Sequence, residues 1–248
     1  MGYGDEIMAA GHAESMGHPV RIVGTRGETR WHPLWEGNPF ITRRLSDPAI
    51  RNGPGCRPYL EYPFTHAGGA HFTGWRARDH RARLYVEPVP GGFLYLDPIP
   101  DGAVIVEPNL ASDGNPNKRW PLSRWQAVVD ARPDLPWLQM SGPHALRGVQ
   151  QVRPRTFVDA CALLAGARAA LVPEGGLHHA AATLQVPAVV LFGQHTPLEV
   201  TGYPEHINLT GGDGEACGKW LPCDHCARVM DRITVEEVLN ALDYCTDG

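Results

Sequence analysis

Three short stretches of the chain hold residues whose types and spacing could handle a phosphorylated ligand. In the first, Glu174-Gly175-Gly176 leads into a helical segment whose first turn carries His178 and His179. Paired glycines let backbone N–H groups and the helix dipole approach an anion, and a histidine there can add a hydrogen bond. A carboxylate such as Glu174 suits the hydroxyls of a ribose. In the second, Lys118 and Arg119 stand just before Trp120-Pro121, where proline opens a helix, so two cations sit beside a helix N-terminus. In the third, Gly2-Tyr3-Gly4-Asp5 reads as a glycine-rich turn entering a helix over Glu6–Met16. Taken singly, each also fits a plain strand–turn–helix, a solvated cation pair or a capping acid.

Two further clusters carry chemistry. Cys217-x5-Cys223-x2-Cys226, with His225 in between, has spacing that zinc, a redox pair or a reduced structural loop could each use. Six cysteines in 248 residues are too few for a disulfide scaffold. The run Trp75, Arg76, Arg78, Arg81 and Arg83 interleaves guanidinium groups with an aromatic ring, which suits a phosphate backbone with a stacked base or a phosphorylated glycan. The plain alternative is a solvated face.

The elements that must position these residues differ between the two halves. From Gly24 to about Ala82 prolines punctuate the chain, and the pattern is loop-rich. Residues 1–90 hold 11 arginines against 9 acids; the rest holds 11 cations against 18 acids. The net charge of −5 gives no global sign of a nucleic-acid or anionic-membrane partner. Strands are expected at Val20–Val23, Arg83–Glu87 and Phe93–Leu96, with a boundary at 95/96 dividing a reduced first domain (1–95) from a second (96–248).

Beyond the boundary, short apolar runs alternate with helical patterns. Strands are expected at Ala103–Val106, Trp137–Met140, Ala169–Val172 and Ala188–Phe192. Helices are expected at Leu122–Ala131, Phe157–Ala165, Leu177–Leu184 and Thr234–Leu242, the last with a Thr234/Glu237 capping box. This alternation predicts an α/β fold, a doubly wound parallel sheet with ligands at the carboxyl ends of its strands.

The order of the motifs resembles the family-nine glycosyltransferases, the ADP-heptose:lipopolysaccharide heptosyltransferases. "EGGLHHAAA" stands where that family has Asp-(Ser/Thr)-Gly-x-x-His-x-x-Ala-Ala, and "FGQHTP" follows with Thr196 in place. Lys118, Trp120 and Pro121 match Lys-x-Trp-Pro, and "WEGNPFI" resembles an Asn-Pro-x-Ile segment of the N-terminal domain. Glu174 and Gly175 depart from the family's acid and hydroxyl residues, and the N-terminal half is shorter, with no strand ahead of the first turn.

The resemblance implies a GT-B-like fold of two Rossmann-like domains, the first reduced. It implies inverting transfer from a nucleotide-sugar donor to an acceptor hydroxyl, with no essential metal. Asp5 would be the general base; Lys118, Arg119, Glu174, Gly175, Gly176, His178, His179 and Thr196 would bind the donor. Trp75, Arg76, Arg78, Arg81 and Arg83 would lie on the acceptor side. The family's cysteine-bearing loop is matched by Cys217, Cys223 and Cys226; a reduced structural loop is the first reading of it, with a structural zinc on Cys217, Cys223, Cys226 and His225, or a redox pair, as the alternatives. The acceptor is a lipopolysaccharide core sugar or related glycan; a hydroxymethylated base of phage DNA and a catalytically inactive nucleotide-sugar binder are the competing readings. A cytoplasmic protein without a transmembrane segment is expected, in which oligomers could form. The unsupported first turn is expected to be held by a rearranged or partner-supplied strand, or to be poorly ordered without ligand.

Overall fold

The computed structural model describes residues 2–52, 60–65, 69–72, 75–89, 91–110, 114–212, 214 and 216–247; Cys56 lies outside them. Its centre is a six-stranded parallel sheet in the second half. The strands are β7 (Val104–Val106), β8 (Trp137–Met140), β9 (Gln150–Val152), β10 (Ala169–Pro173), β11 (Ala188–Leu191) and β12 (Ile207–Leu209). They run in the order β12-β11-β10-β7-β8-β9, with Leu171 paired to Val106 on one side and Val189 on the other. The residues of β7, β8, β10 and β11 are all buried, as continuous apolar strands covered on both faces must be.

Helices α2 (Leu122–Ala131), α3 (Phe157–Ala165), α4 (Gly176–Leu184), α5 (Leu198–Thr201), α6 (Asp224–Arg232) and α7 (Val235–Thr246) cover the sheet. One core, with Trp125, Val128, Val238 and Leu242, fills one face; a second, with Leu163, Leu164, Val172 and Ala180, fills the other. The strand order reverses between β7 and β10. The loops leaving those two strands therefore part and open a crevice at a topological switch point.

The first half is built differently. Helix α1 (Tyr3–Ser15) is followed by the parallel pair β1 (Arg21–Val23) and β2 (Ala49–Arg51), then by two antiparallel pairs, β3 (Leu60–Thr65) with β4 (Gly69–Phe72) and β5 (Gly92–Leu94) with β6 (Asp97–Ile99). Long-range polar contacts hold the loops onto α1: Trp35 Nε1 donates to Glu6 O (2.9 Å), Asn38 Nδ2 to Glu14 Oε1 (2.8 Å), and Arg30 pairs with Glu6 (2.5 Å). Ile7, Ala10, Ala13, Val20, Ile22 and Trp35 share one core with Val172, Ala180 and Val190 of the sheet half.

Several expectations are corrected. The glycine-rich turn is helix: α1 begins at Tyr3 with Gly2 as N-cap; the Asp5 carboxylate accepts the Gly2 N–H (3.1 Å), and the Asp5 N–H donates to the Gly2 carbonyl (3.0 Å). Among the described residues no strand holds this end; α4 does. A Cβ on Gly4 would come within 2.7 Å of His179 Cδ2, and one on Gly176 within 3.1 Å of Tyr3 Cβ and Phe157 Cζ, so only glycines permit this helix contact. The Tyr3 ring stacks on Phe157 (centroids 4.0 Å, 3°).

Arg83–Glu87 is extended but unpaired, since it crosses α1 and α3 rather than a strand: Arg83 N–H donates to Glu14 Oε1 (2.7 Å) and Val89 N–H to Ala162 O (3.0 Å). Strand Phe93–Leu96 is shorter, its chain turning at Tyr95 (φ 57°) to pair Gly92–Leu94 with Asp97–Ile99. Half of the cysteine loop is helix, with Cys223 as N-cap and Cys226 in the first turn of α6.

Candidate functional site

At the switch point lies a cleft of about 560 Å³, walled by α1, the ends of β7, β8 and β10, and the start of α4. Gly2–Asp5 of α1 and Gly175–Leu177 of α4 both line it, so two helix N-termini converge on one space. Each brings unpaired N–H groups and a partial positive charge. Lys118 joins them from a 3-10 turn, Pro116–Lys118, which Asn115 caps by accepting the Asn117 N–H (2.9 Å).

The Lys118 ammonium forms an ion pair with Glu174 at the end of β10, and both side chains are largely buried. Burial pushes the Glu174 carboxyl up, but Lys118, His179 and His195 outweigh it and hold it below its ordinary range. Burial is also the main cause that lowers His179 to about 4, so its imidazole is neutral near pH 7; its Nδ1 lies 2.9 Å from the Tyr203 hydroxyl. Across from them Asp5 is buried on the cleft wall, its Oδ2 accepting the Gly2 N–H.

Of the expected site residues, Asp5, Lys118, Glu174, Gly175, Gly176, His179 and Thr196 line this cleft. Arg119 and His178 do not. Arg119 is exposed beside the turn, whereas His178 is fully buried among His179, Phe192, Tyr203 and His206, with neither ring nitrogen hydrogen-bonded and its pKa far below the ordinary value through burial. A Cβ on Gly176 would crowd Tyr3 and Phe157 at 3.1 Å, while one on Gly175 would meet only Pro173 O at 4.0 Å.

None of Trp75, Arg76, Arg78, Arg81 and Arg83 lines the cleft. Arg81 pairs with Glu205 (2.5 Å) and lies over the Tyr203 ring; Trp75 stacks on His80 (4.9 Å, 5°) and packs beside Met8 and Tyr203. These residues do not converge on the cleft.

The structure adds residues that sequence patterns miss. Glu107, at the tip of β7, lines the cleft; burial pushes its carboxyl up to about 7, against hydrogen bonds from the Asn109 backbone (2.9 Å) and side chain (2.7 Å). Asn115, His195 and Trp220 complete the wall, the last two rings meeting edge to face at 5.3 Å. Glu107 and Asn115 stand beside the recognisable Lys118 motif, but only the strand order brings them to the cleft.

Outside the cleft, the sulfurs of Cys217 and Cys226 lie 3.0 Å apart, and one ligand atom each from Cys217, His225 and Cys226 fall within 4.8 Å of one another. Hydrogen bonding from Cys226 first, then from His195 and Cys223, holds the Cys217 thiol below its ordinary range, while the same contact raises Cys226.

Comparison with known proteins fits this arrangement. Residues 144–222 match the model of Glycosyltransferase family 9 (heptosyltransferase). A family-nine glycosyltransferase from Veillonella parvula DSM 2008 superposes with a TM-score of 0.64 at 14% identity, covering 99% of this chain and 95% of that one. The iron-containing dodecameric glycosyltransferase TibC of enterotoxigenic E. coli H10407 gives 0.61 at 15% identity, covering 100% and 74%. TibC has also been solved as a heptosyltransferase in complex with ADP-D-β-D-heptose, and that structure matches with a TM-score of 0.56 at 14% identity, covering 93% and 78%. E. coli ADP-heptose lps heptosyltransferase II matches at 19% identity with a TM-score of 0.45, over 58% of this chain; the chain spans 46% of that enzyme's length. No curated protein matches. The α/β, GT-B-like fold is thus shared with family-nine structures, and residues 144–222 match that family's model. Among the described residues no helix is long and apolar enough to cross a membrane.

Proposed function

We propose that the cleft binds the diphosphate of a nucleotide sugar, of the ADP-heptose type, and that the chain transfers the sugar to an acceptor hydroxyl. The observation that carries this is the convergence of two helix N-termini and Lys118 on one cleft at the switch point. Such a constellation favours a multiply charged anion. The heptosyltransferase TibC, solved with ADP-D-β-D-heptose, shares the fold and supports the choice of donor.

In this reading Lys118 and the N–H groups at Gly175–Leu177 hold the diphosphate and stabilise the leaving nucleotide. Glu174, already paired with Lys118, orients the ammonium. Asp5 accepts the proton of the attacking hydroxyl, and that oxygen attacks the anomeric carbon from the face opposite the nucleotide, inverting it. Cation and dipoles supply the charge stabilisation, so the transfer itself needs no metal. Residues 1–95 form the acceptor side and 96–248 the donor side. The acceptor is a lipopolysaccharide core sugar or related glycan, and the protein works in the cytoplasm.

The cysteine cluster fits a structural metal. Cys217, His225 and Cys226 bring two sulfurs and one nitrogen within 4.8 Å of one another, donors of the kind that hold zinc, and Cys223 would be the fourth ligand. Iron is the alternative that TibC's description raises.

Calorimetric titration with ADP, UDP and GDP tests the donor reading. ADP is expected to bind to the wild type and to lose about 100-fold or more in affinity in Lys118→Met, as for a charge-assisted phosphate contact. Equal affinity in the two proteins would overturn the diphosphate seat.

A further inference from the structure

We propose that Asn117 is a positioning residue that couples the cysteine loop to the Lys118 seat, so that nucleotide binding and the state of the cysteines bias one another. The inference rests on the cleft taking a nucleoside diphosphate.

Asn117 is buried inside the turn that carries Lys118, and its side chain reaches across more than a hundred residues. Nδ2 donates to the carbonyls of Lys219 (2.7 Å) and Leu221 (2.9 Å), while Oδ1 accepts the N–H of Cys223 (2.9 Å). Asn115 reinforces the clasp by donating to Lys219 O (3.1 Å). The turn packs closely on Gly193, where an added Cβ would lie 2.0 Å from Asn117 O.

The same loop is tied to the cleft at its other end. Cys217 N–H donates to Gln194 O and Gly218 N–H to His195 O, both at 3.0 Å, and His195 with Trp220 lines the cleft. A displacement of Cys217–Cys226 therefore moves both Trp220 on the cleft wall and, through Asn117, the backbone of Lys118. A close-packed turn held on both sides transmits such a shift instead of absorbing it. Coupling of this kind is reciprocal: whatever factor the cysteine state exerts on nucleotide affinity, the nucleotide exerts on the cysteines.

The test uses the full chain as purified, with ADP as ligand and N-ethylmaleimide as thiol probe, read by calorimetry and by mass spectrometry of the labelled peptides. Saturating ADP is expected to slow labelling of Cys217 and Cys223 by about fivefold or more, and prior labelling, read separately by calorimetry, to weaken ADP by about fivefold or more. In Asn117→Ala, and in Asn117→Asp, which keeps the shape but loses both donations, protection by ADP should vanish. A merely structural asparagine would lower Tm in these variants and leave the protection factor unchanged. ADP that binds the wild type without altering labelling, or full protection retained in both variants, overturns the coupling. A wild type that binds no ADP, UDP or GDP overturns the donor reading itself, and the titration without maleimide already separates that case.

Discussion

Each half of the molecule is organised around a buried glutamate paired with a cation, and the two pairs do different work. In the first half Glu6 of α1 takes Arg30, whose guanidinium also donates to Asn52 O (2.7 Å), and the result is a loop tied down onto a helix. In the sheet half Glu174 takes Lys118, and the result is an ammonium held on the wall of a cleft. The chemistry of the two pairs is alike; their surroundings differ. Arg30 answers to one carboxylate and one carbonyl, whereas Lys118 shares its cleft with the N-terminus of α4, whose first turn carries no acid. A buried ion pair marks a ligand site when the groups around it still call for charge.

The comparison can be broken most directly at Lys118. Lys118→Met leaves Glu174 buried without its cation and should cost about 3–5 kcal/mol at pH 7, measured by urea unfolding. Adding Glu174→Gln should restore most of that stability but not ADP binding. A loss below about 1 kcal/mol for the single variant would mean that the pair is not what holds the β10 loop. A smaller effect is expected where the halves touch. Gly4→Ala drives a methyl to 2.7 Å from the His179 ring and should cost about 1–3 kcal/mol. Gly175→Ala, whose methyl meets only Pro173 O at 4.0 Å, should cost less than about 1 kcal/mol, and thermal melts rank the two.

The smallest effect is a pH dependence in which neighbouring groups oppose one another. Burial depresses His179 and His206 to about 4, below their unfolded values, so their contribution is complete above about pH 6.5 and is lost as pH falls towards 4. Glu107 is raised to about 7, so its contribution is present at low pH and is lost as pH rises from about 4.5 to 7. With His178 lowered as well, three buried histidines oppose one glutamate, and net stability should fall on acidification between pH 6.5 and 5. Glu107→Gln should steepen that fall. Chemical denaturation at pH 8, 6.5 and 5 checks both slopes, and a flat profile in the wild type would contradict the burial assigned to the histidines.

The sheet half was legible because burial on both faces forces unbroken apolar runs. Val104–Val106, Ala169–Val172 and Ala188–Leu191 announce themselves, and the capping box at Thr234 marks the last helix. The first half has no such period. Its loops are held by side chains that reach distant backbone, such as Trp35 to Glu6 and Asn38 to Glu14, and these bonds leave no trace in residue spacing. Within the site, residues on recognisable motifs (Lys118, Glu174, His179) were legible, and so was Asp5 once the motifs were taken together. Glu107, Asn117 and Trp220 were not, because their roles depend on which loops the strand order brings side by side. The arginine run misled for the same reason: its composition suited a phosphate, yet Arg81 is spent on Glu205.

The central claim is that an acid from the first half and a diphosphate seat from the second act on one donor. Steady-state release of ADP from ADP-heptose, with lipopolysaccharide core as acceptor, tests it in Asp5→Asn, a change that keeps the cap on Gly2. The expected result is a kcat lower by about 100-fold or more with donor KM within about threefold, as for loss of a general base. An unchanged kcat, or a loss confined to KM, would contradict the claim.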